Sequence, residues 1–274
     1  MPAQIATSRV AASPFGALLR EWRAIRRLSQ LELALSSGIS ARHLSFAETG
    51  RSHPSRETVQ AVANALDMPL SERNALLVAA GYAPAFAETR LDAPELNLIR
   101  QAIDLTLHQH EPFPAFALNR RWDVLSANRG LHRVMECLRP GGPKHGNIVR
   151  QIFDPDDMRP CVENWSEVAG DVLAHLRHSV RHHPTDMDLR ALLEEALSYG
   201  DIPAELHQLD LKARPLPIIV SKFRKGELRL SFFSTLTRFA MAADVAVQDT
   251  SIECMFPADE ATRKFCISAA AGAT

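Results

Sequence analysis

The residues of this chain that are best suited to contact a polyanion lie between Gln30 and His53. Arg42 lies near the start of one short helical pattern, and Arg51 follows the end of that pattern. An arginine can donate two parallel hydrogen bonds to O6 and N7 of guanine, and the amides of a helix N-terminus can hold a phosphate oxygen. This segment therefore predicts contact with double-stranded DNA.

Capping and turn signals within the same segment predict two short helices joined at Gly38. Ser29 and Glu32 have the spacing of a capping box, in which each side chain accepts the other residue's backbone N–H, so a helix is expected to begin at Gln30. Glycine tolerates the left-handed conformation that a sharp turn between helices requires. Ser40 is expected to cap the next helix, which would stand out from the surface and fit a major groove about 12 Å wide.

Further serines predict the helices that must hold this pair in place. Ser13 followed by Pro14 is typical of a helix start, and the apolar residues after it recur at helical spacing. Ser55 and Ser71 are expected to cap a fourth and a fifth helix. Together these signals predict an all-α five-helix domain.

The pattern between Leu28 and Leu66 resembles the phage-repressor, or XRE-type, helix-turn-helix family. The resemblance covers residues 14–80 and depends on many positions at once. The matching positions are Leu28, Ser29, Gln30, Leu33, Ala34, Gly38, Ile39, Ser40, Leu44, Ser45, Glu48, Thr49, Gly50, Arg51, Pro54, Ser55 and Leu66. The resemblance implies a transcription regulator that binds a specific DNA sequence, with the third helix in the major groove.

The resemblance also implies which side chains face the DNA. Arg42 is expected to pair with guanine, whereas Gln30 and Arg51 suit phosphates. The full set of expected DNA-contacting residues is Gln30, Ser40, Ala41, Arg42, His43, Ser45, Arg51, Ser52 and His53.

Three other residues of this domain have roles that are partly open. Phe46 could touch a thymine methyl group or pack against the fourth helix. Arg23 and Glu48 match positions that form an internal ion pair in the family, and a buried carboxylate needs such a partner.

The charge of the chain gives no general sign of nucleic-acid binding, because the whole sequence carries a net charge of −1. Residues 13–83 contain eight arginines and six acidic residues, an excess of two positive charges. So modest a charge implies weak binding by one copy, and the resemblance implies a homodimer on two half-sites. An antitoxin-like DNA binder controlled by a protein partner stays an alternative.

Strand and helix patterns follow one another differently after about residue 95. Two short strands are expected at 116–120 and 122–127, then helices, a hairpin that turns at Lys225 and Gly226, and a last strand at 250–256. This order predicts an α+β PAS-like domain, an antiparallel sheet with helices. The expected segments are a flexible N-terminus (1–12), a helix-turn-helix domain (13–83), a linker (84–94) and a PAS-like domain (95–270).

The second domain resembles the MmyB-type regulator ligand-binding domain. The resemblance is carried by Pro114–Phe116, Arg121–Val124, Ala127–Asn128 and Ile252–Glu260, and by the junction Glu72–Gly81; residues 200–214 depart from it in lacking an aromatic. It implies a small-molecule effector bound between sheet and helices. Candidate lining residues, each of which also suits ordinary core packing, are Phe116, Leu118, Trp122, Leu131, Met135, Phe153, Trp165, Phe223 and Phe232. Their apolar character favours an apolar, fatty-acyl-like effector.

Three histidines, His175, His178 and His182, fall on one face of a predicted helix. Imidazoles so placed could hold a metal ion or haem, which leaves a metal- or haem-sensing regulator as a further alternative. A solvated basic face with Arg177 and Arg181 is the other interpretation. The sequence contains no G-x-S-x-G, P-loop or G-x-G-x-x-G motif, so neither enzymatic activity nor a cofactor is expected.

The bulk composition, 46% hydrophobic and 23% charged, is that of an ordinary globular protein. No apolar run approaches the ~20 residues that span a bilayer, and the N-terminus lacks a secretory signature, so a cytoplasmic protein without membrane contact is expected. The four cysteines are scattered, which favours reduced thiols over a zinc site or disulfides.

Overall fold

The computed structural model describes residues 13–200, 202, 203, 206 and 218–272. The expected flexible N-terminus and most of the segment that lacks an aromatic lie outside these residues. The chain divides into two compact units. The first contains the residues up to Ala87 together with Arg181–Thr185, and the second contains Glu88–Val180 and the residues from Asp186 onward.

Five helices make up the N-terminal part of the first unit, as predicted. They are α1 (Pro14–Arg26), α2 (Gln30–Ser37), α3 (Ala41–Glu48), α4 (Arg56–Ala65) and α5 (Leu70–Ala79). Their shared core is closed by large apolar side chains that are almost fully buried, among them Phe15, Leu19 and Trp22 of α1. Burial of this kind, at roughly 25 cal/mol per Å² of apolar surface, is what holds so small a unit together.

Local capping chemistry sets most of the helix boundaries where the sequence predicts them. The Ser13 hydroxyl accepts the Gly16 amide at 3.0 Å and begins α1. At the start of α2 both hydrogen bonds of the capping box are formed, Glu32 N to Ser29 Oγ at 3.2 Å and Ser29 N to Glu32 Oε2 at 2.7 Å. Gly38 ends α2 with a φ of 71°, the left-handed value that the turn requires.

The predicted start of the fifth helix is wrong by two residues. Ser71 does not cap α5, because the helix already begins at Leu70 and Pro69 occupies the cap position without a side-chain hydrogen bond. The fixed φ of proline preorganises the chain for a helix start, and Leu70 is buried. Burial of an apolar side chain together with proline geometry thus sets the boundary that the serine was expected to set.

The second unit combines helices with one sheet. Its helices are α6 (Asn97–Gln109), α7 (Arg129–Leu138), α8 (Ile148–Phe153), α9 (Trp165–His182), α10 (Met187–Ser198), α11 (Val245–Asp249) and α12 (Glu260–Ala271). The strands are β1 (Ala115–Leu118), β2 (Val124–Ala127), β3 (Val220–Lys225), β4 (Leu228–Arg238) and β5 (Ser251–Pro257). The sequence pattern did not predict α11, a short helix capped by Asp244.

The five strands form one antiparallel sheet in the order β2-β1-β5-β4-β3. The last strand in the chain therefore lies at the centre, between the first strand and the predicted hairpin. One face packs against α6 through Ile103 and Leu107, and the opposite face carries a separate core with α7 and α12. This arrangement confirms the α+β, PAS-like fold class.

A buried asparagine ties the first strand to the helices beside it. Asn128 Oδ1 accepts the amides of Leu131, in the first turn of α7, and of Ala115, which begins β1, at 2.9 and 3.0 Å. Its amide nitrogen donates to the carbonyls of Leu107 and Phe113 at 3.0 and 2.8 Å. One side chain thus satisfies four buried backbone groups, which fixes where β1 begins.

No helix among the described residues is long and apolar enough to cross a membrane.

Candidate nucleic-acid interface

The end of α3 is held by a buried carboxylate, Glu48, whose side chain is only 4% exposed. Arg23 of α1 donates to it twice, from Nη2 to Oε1 at 2.8 Å and from Nε to Oε2 at 3.1 Å. Gln30 of α2 donates to Oε2 at 3.2 Å. The predicted ion pair is therefore present, and the same carboxylate joins α3 to both helices behind it.

A second set of contacts brings α1 and α3 into close approach. Arg20 Nη1 donates to the Glu48 carbonyl at 3.1 Å. At Gly16, a Cβ atom would lie 2.0 Å from that same carbonyl oxygen, a distance that no side chain could tolerate. No role for Gly16 follows from the sequence, because the close approach of the two backbones depends on how the helices pack.

The N-terminus of α3 is solvent-facing. Ser40 Oγ accepts the His43 amide at 3.2 Å, and both Ala41 and Arg42 are exposed, whereas Leu44 is fully buried. The helix therefore presents its first turn and its amides to solvent while one residue anchors it to the core. His43 is half-buried beside this turn.

Two arginine side chains on the exposed face lie against one aromatic ring. The Arg42 guanidinium carbon lies 5.2 Å from the centre of the Phe46 ring, and that of Arg51 lies 6.0 Å from the same centre. Phe46 is half-buried, and both arginines are exposed. The two residues that the sequence predicts as DNA contacts on either side of α3 thus converge on one ring.

The remaining predicted contact residues differ in accessibility. Ser45 is half-buried on α3, and its carbonyl accepts the Thr49 hydroxyl at 2.7 Å. The Ser52 hydroxyl is buried without a hydrogen-bond partner among the described residues, whereas its amide donates to the Phe46 carbonyl at 3.2 Å. His53 is exposed and packs edge-on against Tyr82, with ring centres 5.5 Å apart.

Glu32 and Glu57, two acidic residues of this unit, lie at the starts of α2 and α4 and not on the exposed face of α3. Hydrogen bonds from the hydroxyl and the amide of Ser29 lower the pKa of the Glu32 carboxyl at the start of α2. Backbone and Ser55 hydrogen bonds lower the pKa of Glu57 at the start of α4. Carboxylates at helix N-termini complement the helix dipole, and their position leaves the cations of α3 and its following loop to dominate that face.

The predicted effector-lining residues of the second unit lie in its hydrophobic cores. Phe116, Leu118 and Phe232 are buried on the inner sheet face, which is the face that packs against α7 and α12, and the buried Leu131 and half-buried Met135 of α7 pack against them. Phe153 and Trp165 belong to the neighbouring core of α8, α9 and α10, and Trp122 and Phe223 pack against both cores.

Trp165 is held at both its edge and its face. Its indole N–H donates to the Ile152 carbonyl at 2.8 Å, and the Arg159 guanidinium stacks 3.9 Å from its ring centre. Phe153 meets the same ring edge-on. These contacts fix Trp165 as part of the packed structure.

The histidine face of α9 meets an acidic neighbour. His175 Nδ1 lies 3.5 Å from Asp171 Oδ2, and hydrogen bonding to Asp171 raises the His175 pKa. Burial raises the pKa of the Glu253 carboxyl on β5, while a hydrogen bond from Ser234 and the nearby His175 act against that rise. Among the residues that the structure describes, no three His, Cys, Asp or Glu side chains come together in a way that could hold a metal ion.

An open groove of about 410 Å³ lies on the second unit beside a buried ion network. Arg120 donates to Asp186 Oδ2 at 2.7 Å and to the carboxylate of Asp249. Arg121 donates to Asp186 as well, at 3.1 Å. The guanidinium groups of Arg120 and Arg121, which line the groove, are thus paired with carboxylates.

Comparisons with known proteins match both units. The helix-turn-helix family matches residues 19–73, and the MmyB-like transcription regulator ligand binding domain matches residues 99–266. The uncharacterized HTH-type transcriptional regulator RghRB of Bacillus subtilis (strain 168) is 40% identical over 84 residues, which are 30% of this chain. Those residues span 58% of the length of that relative.

A solved structure described as an RNA-binding light-oxygen-voltage receptor is 12% identical and aligns with 95% of this chain and 64% of that chain, at a TM-score of 0.25. A likeness this weak supports no argument about the fold. The two family matches cover the helix-turn-helix and most of the second unit, as both predicted resemblances require. The chain therefore belongs to the transcription regulators that join an XRE-type helix-turn-helix to an MmyB-like ligand-binding domain.

Proposed function

We propose that this regulator binds a specific duplex DNA sequence through α3, with Arg42 as its principal base-contacting residue. The observation that carries the proposal is the convergence of Arg42 and Arg51 on the Phe46 ring at the exposed face of a helix that Glu48 anchors. A planar guanidinium held in one place loses less freedom when it pairs with guanine O6 and N7. A base-contacting residue needs both this exposure and this fixed position.

The other expected contacts would align the protein on the DNA backbone. Ser40 and the first amides of α3 offer donors to a phosphate, and Arg51 follows the helix where a second phosphate would lie. An amide group has two N–H donors, so Gln30 can donate one to Glu48 and the other to a phosphate. Ala41, His43, Ser45, Ser52 and His53 complete the proposed face.

Selection of bound duplexes from a random pool by the full-length chain tests this proposal. We expect one motif to be enriched by the native chain, and Arg42→Ala to lose preference at one position of that motif. Arg56→Ala, which removes an exposed arginine at the start of α4, is the matched control and should keep the motif. An unchanged motif with Arg42→Ala would contradict the assignment of α3.

We further propose that the regulator acts as a homodimer on a two-fold operator. The excess of two positive charges over residues 13–83 is small for binding by one copy at physiological salt. Two copies double the phosphate contacts and read two half-sites about one helical turn apart. Light scattering of the free chain and of its DNA complex measures the number of copies. The spacing of half-sites in the selected motif tests the two-fold operator. A motif without any two-fold repeat argues against the homodimer.

The second unit is proposed to bind an apolar, fatty-acyl-like effector that changes the affinity for DNA. Support comes from the apolar inner sheet face, where Phe116, Leu118 and Phe232 lie together. An effector can shift binding only if its affinity differs between the DNA-competent and incompetent states. Because a DNA-binding regulator must share a compartment with DNA, a cytoplasmic location remains our expectation.

Organic extraction of the purified chain followed by mass spectrometry tests the effector class. We expect an amphiphile with an acyl chain to be recovered in stoichiometric amount. Phe232→Arg, which places a charge on the inner sheet face, should abolish its recovery. Recovery of only polar metabolites would contradict the apolar effector without affecting the DNA-binding proposal.

A further inference from the structure

Phe46 occupies a position on α3 that differs from those of its packed neighbours. Leu44 and Ala47 of the same helix are 0% and 1% exposed, whereas Phe46 keeps part of its ring accessible. Its ring faces the guanidiniums of Arg42 and Arg51 rather than apolar groups alone. The accessible part of Phe46 therefore lies on a cationic, solvent-facing surface of α3.

The backbone of Phe46 is fixed as firmly as its ring. Its carbonyl accepts the amides of Arg51 and Ser52 at 2.8 and 3.2 Å, and the Thr49 hydroxyl lies 3.3 Å away. The loop after α3 therefore folds back onto this residue. Phe46 is therefore held through its backbone by this loop, and its half-buried ring lies beside the two guanidiniums.

In the major groove, one base offers an apolar group that an aromatic ring can contact. Thymine is distinguished there by its C5-methyl group, and phenylalanine is among the side chains that contact it. Successive base pairs are about 3.4 Å apart along the duplex axis. The 5.2 Å from the Arg42 guanidinium carbon to the Phe46 ring centre therefore suits contacts to two neighbouring base pairs.

We propose that Phe46 determines specificity, with its ring edge against the C5-methyl of a pyrimidine next to the guanine that Arg42 contacts. This inference rests on the proposed function, since it requires α3 in the major groove. The unit would then select a thymine next to a guanine. Because 5-methylcytosine carries the same C5-methyl group, it would make the same methyl contact as the thymine. Phe46 also acts as a positioning residue for Arg42.

Replacing thymine by deoxyuridine tests the methyl contact without changing the protein, because uracil keeps the base pairing and lacks only the methyl. After the preferred duplex is selected, each thymine beside a guanine is replaced in turn, and affinity is measured by fluorescence anisotropy. We expect one replacement to weaken binding about 3- to 10-fold, and replacements outside the motif to have no effect. Equal affinity for every deoxyuridine duplex would overturn the proposal.

Phe46→Ala identifies the residue responsible. The variant should bind the thymine and deoxyuridine duplexes equally well, whereas Arg56→Ala, which lies outside the proposed contact set, should keep the native difference. A difference that persists in Phe46→Ala would overturn the assignment to Phe46. If no duplex is enriched at all, the proposed function fails and this inference with it; enrichment without any methyl dependence refutes this inference alone.

Discussion

Nη2 of Arg23 lies 2.8 Å from Oε1 of Glu48, and this pair joins the end of α3 to α1. Both side chains are largely withdrawn from water, at 17% and 4% exposure. A buried carboxylate that loses its partner costs far more than an exposed one, because the remaining charge is desolvated without compensation. The pair therefore serves the interface indirectly, by fixing the helix that carries it.

Arg23→Ala should consequently lower the free energy of unfolding by about 3 kcal/mol, which is the usual size for breaking a buried pair. Urea unfolding of the full chain, followed by circular dichroism, measures it. Arg56→Ala, which removes an exposed arginine of the same unit, should stay within about 0.5 kcal/mol of the native value. Equal effects of the two substitutions would mean that the Arg23–Glu48 pair adds nothing to stability.

Gly16→Ala should destabilise the first unit by about 1–3 kcal/mol, because the added Cβ meets the Glu48 carbonyl at 2.0 Å and α1 must move away from α3. Gly146→Ala is the matched control, since no atom lies within 4 Å of its added Cβ. Thermal unfolding of the two variants compares them. A Gly16→Ala variant as stable as the Gly146→Ala variant would show that the helices separate without cost.

Arg42→Ala and Arg51→Ala should weaken DNA binding in different ways. Loss of a base contact costs about 1–3 kcal/mol at one base position, whereas loss of a phosphate contact weakens binding to all sequences and reduces the salt slope by about one. Titrations of the selected duplex and its single-base variants, each at several salt concentrations, separate the two patterns. Identical patterns for both arginines would remove the distinction that we draw between them.

The sequence predicts those parts of the fold that depend on neighbouring residues. The capping box at Ser29 and Glu32 and the left-handed turn at Gly38 are local, and both are confirmed. The close approach at Gly16 depends on residues 32 positions apart in the chain, so no local pattern signals it. The start of α5 was mispredicted because proline geometry and the burial of Leu70 outweighed a good capping residue.

Ion pairs between residues far apart in the chain could not be predicted from the sequence either. Arg120 contacts carboxylates that lie 66 and 129 residues further along the chain, at Asp186 and Asp249. The stacking of Arg42 and Arg51 on Phe46 was also not foreseen, although the i, i+4 spacing of Arg42 and Phe46 on one helix was a signal that could have revealed half of it.

Thiol reactivity should separate the four cysteines. Cys137 is exposed, whereas Cys161, Cys254 and Cys266 are buried. Burial raises the pKa of the Cys266 thiol to about 11, so almost none of it is thiolate at neutral pH. Ellman's reagent should therefore label one thiol rapidly in the native chain and all four in denaturant, and Cys137→Ser should remove the rapid phase. Two or more rapid thiols would contradict the packing of the second unit.

The two carboxylates that share Arg120 should respond differently to neutralisation. Burial alone would raise the pKa of Asp186, but hydrogen bonds from Arg120, Arg121 and the Leu189 amide outweigh it and bring the pKa to about 2. For Asp249, burial dominates over the attraction of Arg120 and raises the pKa. A lowered carboxyl pKa means that ionisation stabilises the fold, and a raised one means that ionisation opposes it.

Asp186→Asn should therefore cost ~2 kcal/mol at neutral pH, while Asp249→Asn should cost less than about 1 kcal/mol. Asparagine keeps the capping role at the start of α10, so the difference reports the charge.

Asp186 stabilises the native chain above its unfolded pKa near 3.8, and that contribution is lost as the pH falls towards 2. Asp186→Asn should flatten the acid limb of the stability profile in this window, as measured by urea unfolding at each pH. An acid limb that is unchanged in Asp186→Asn and flattened in Asp249→Asn would reverse the assignment, because the stabilising charge would then be the one at Asp249.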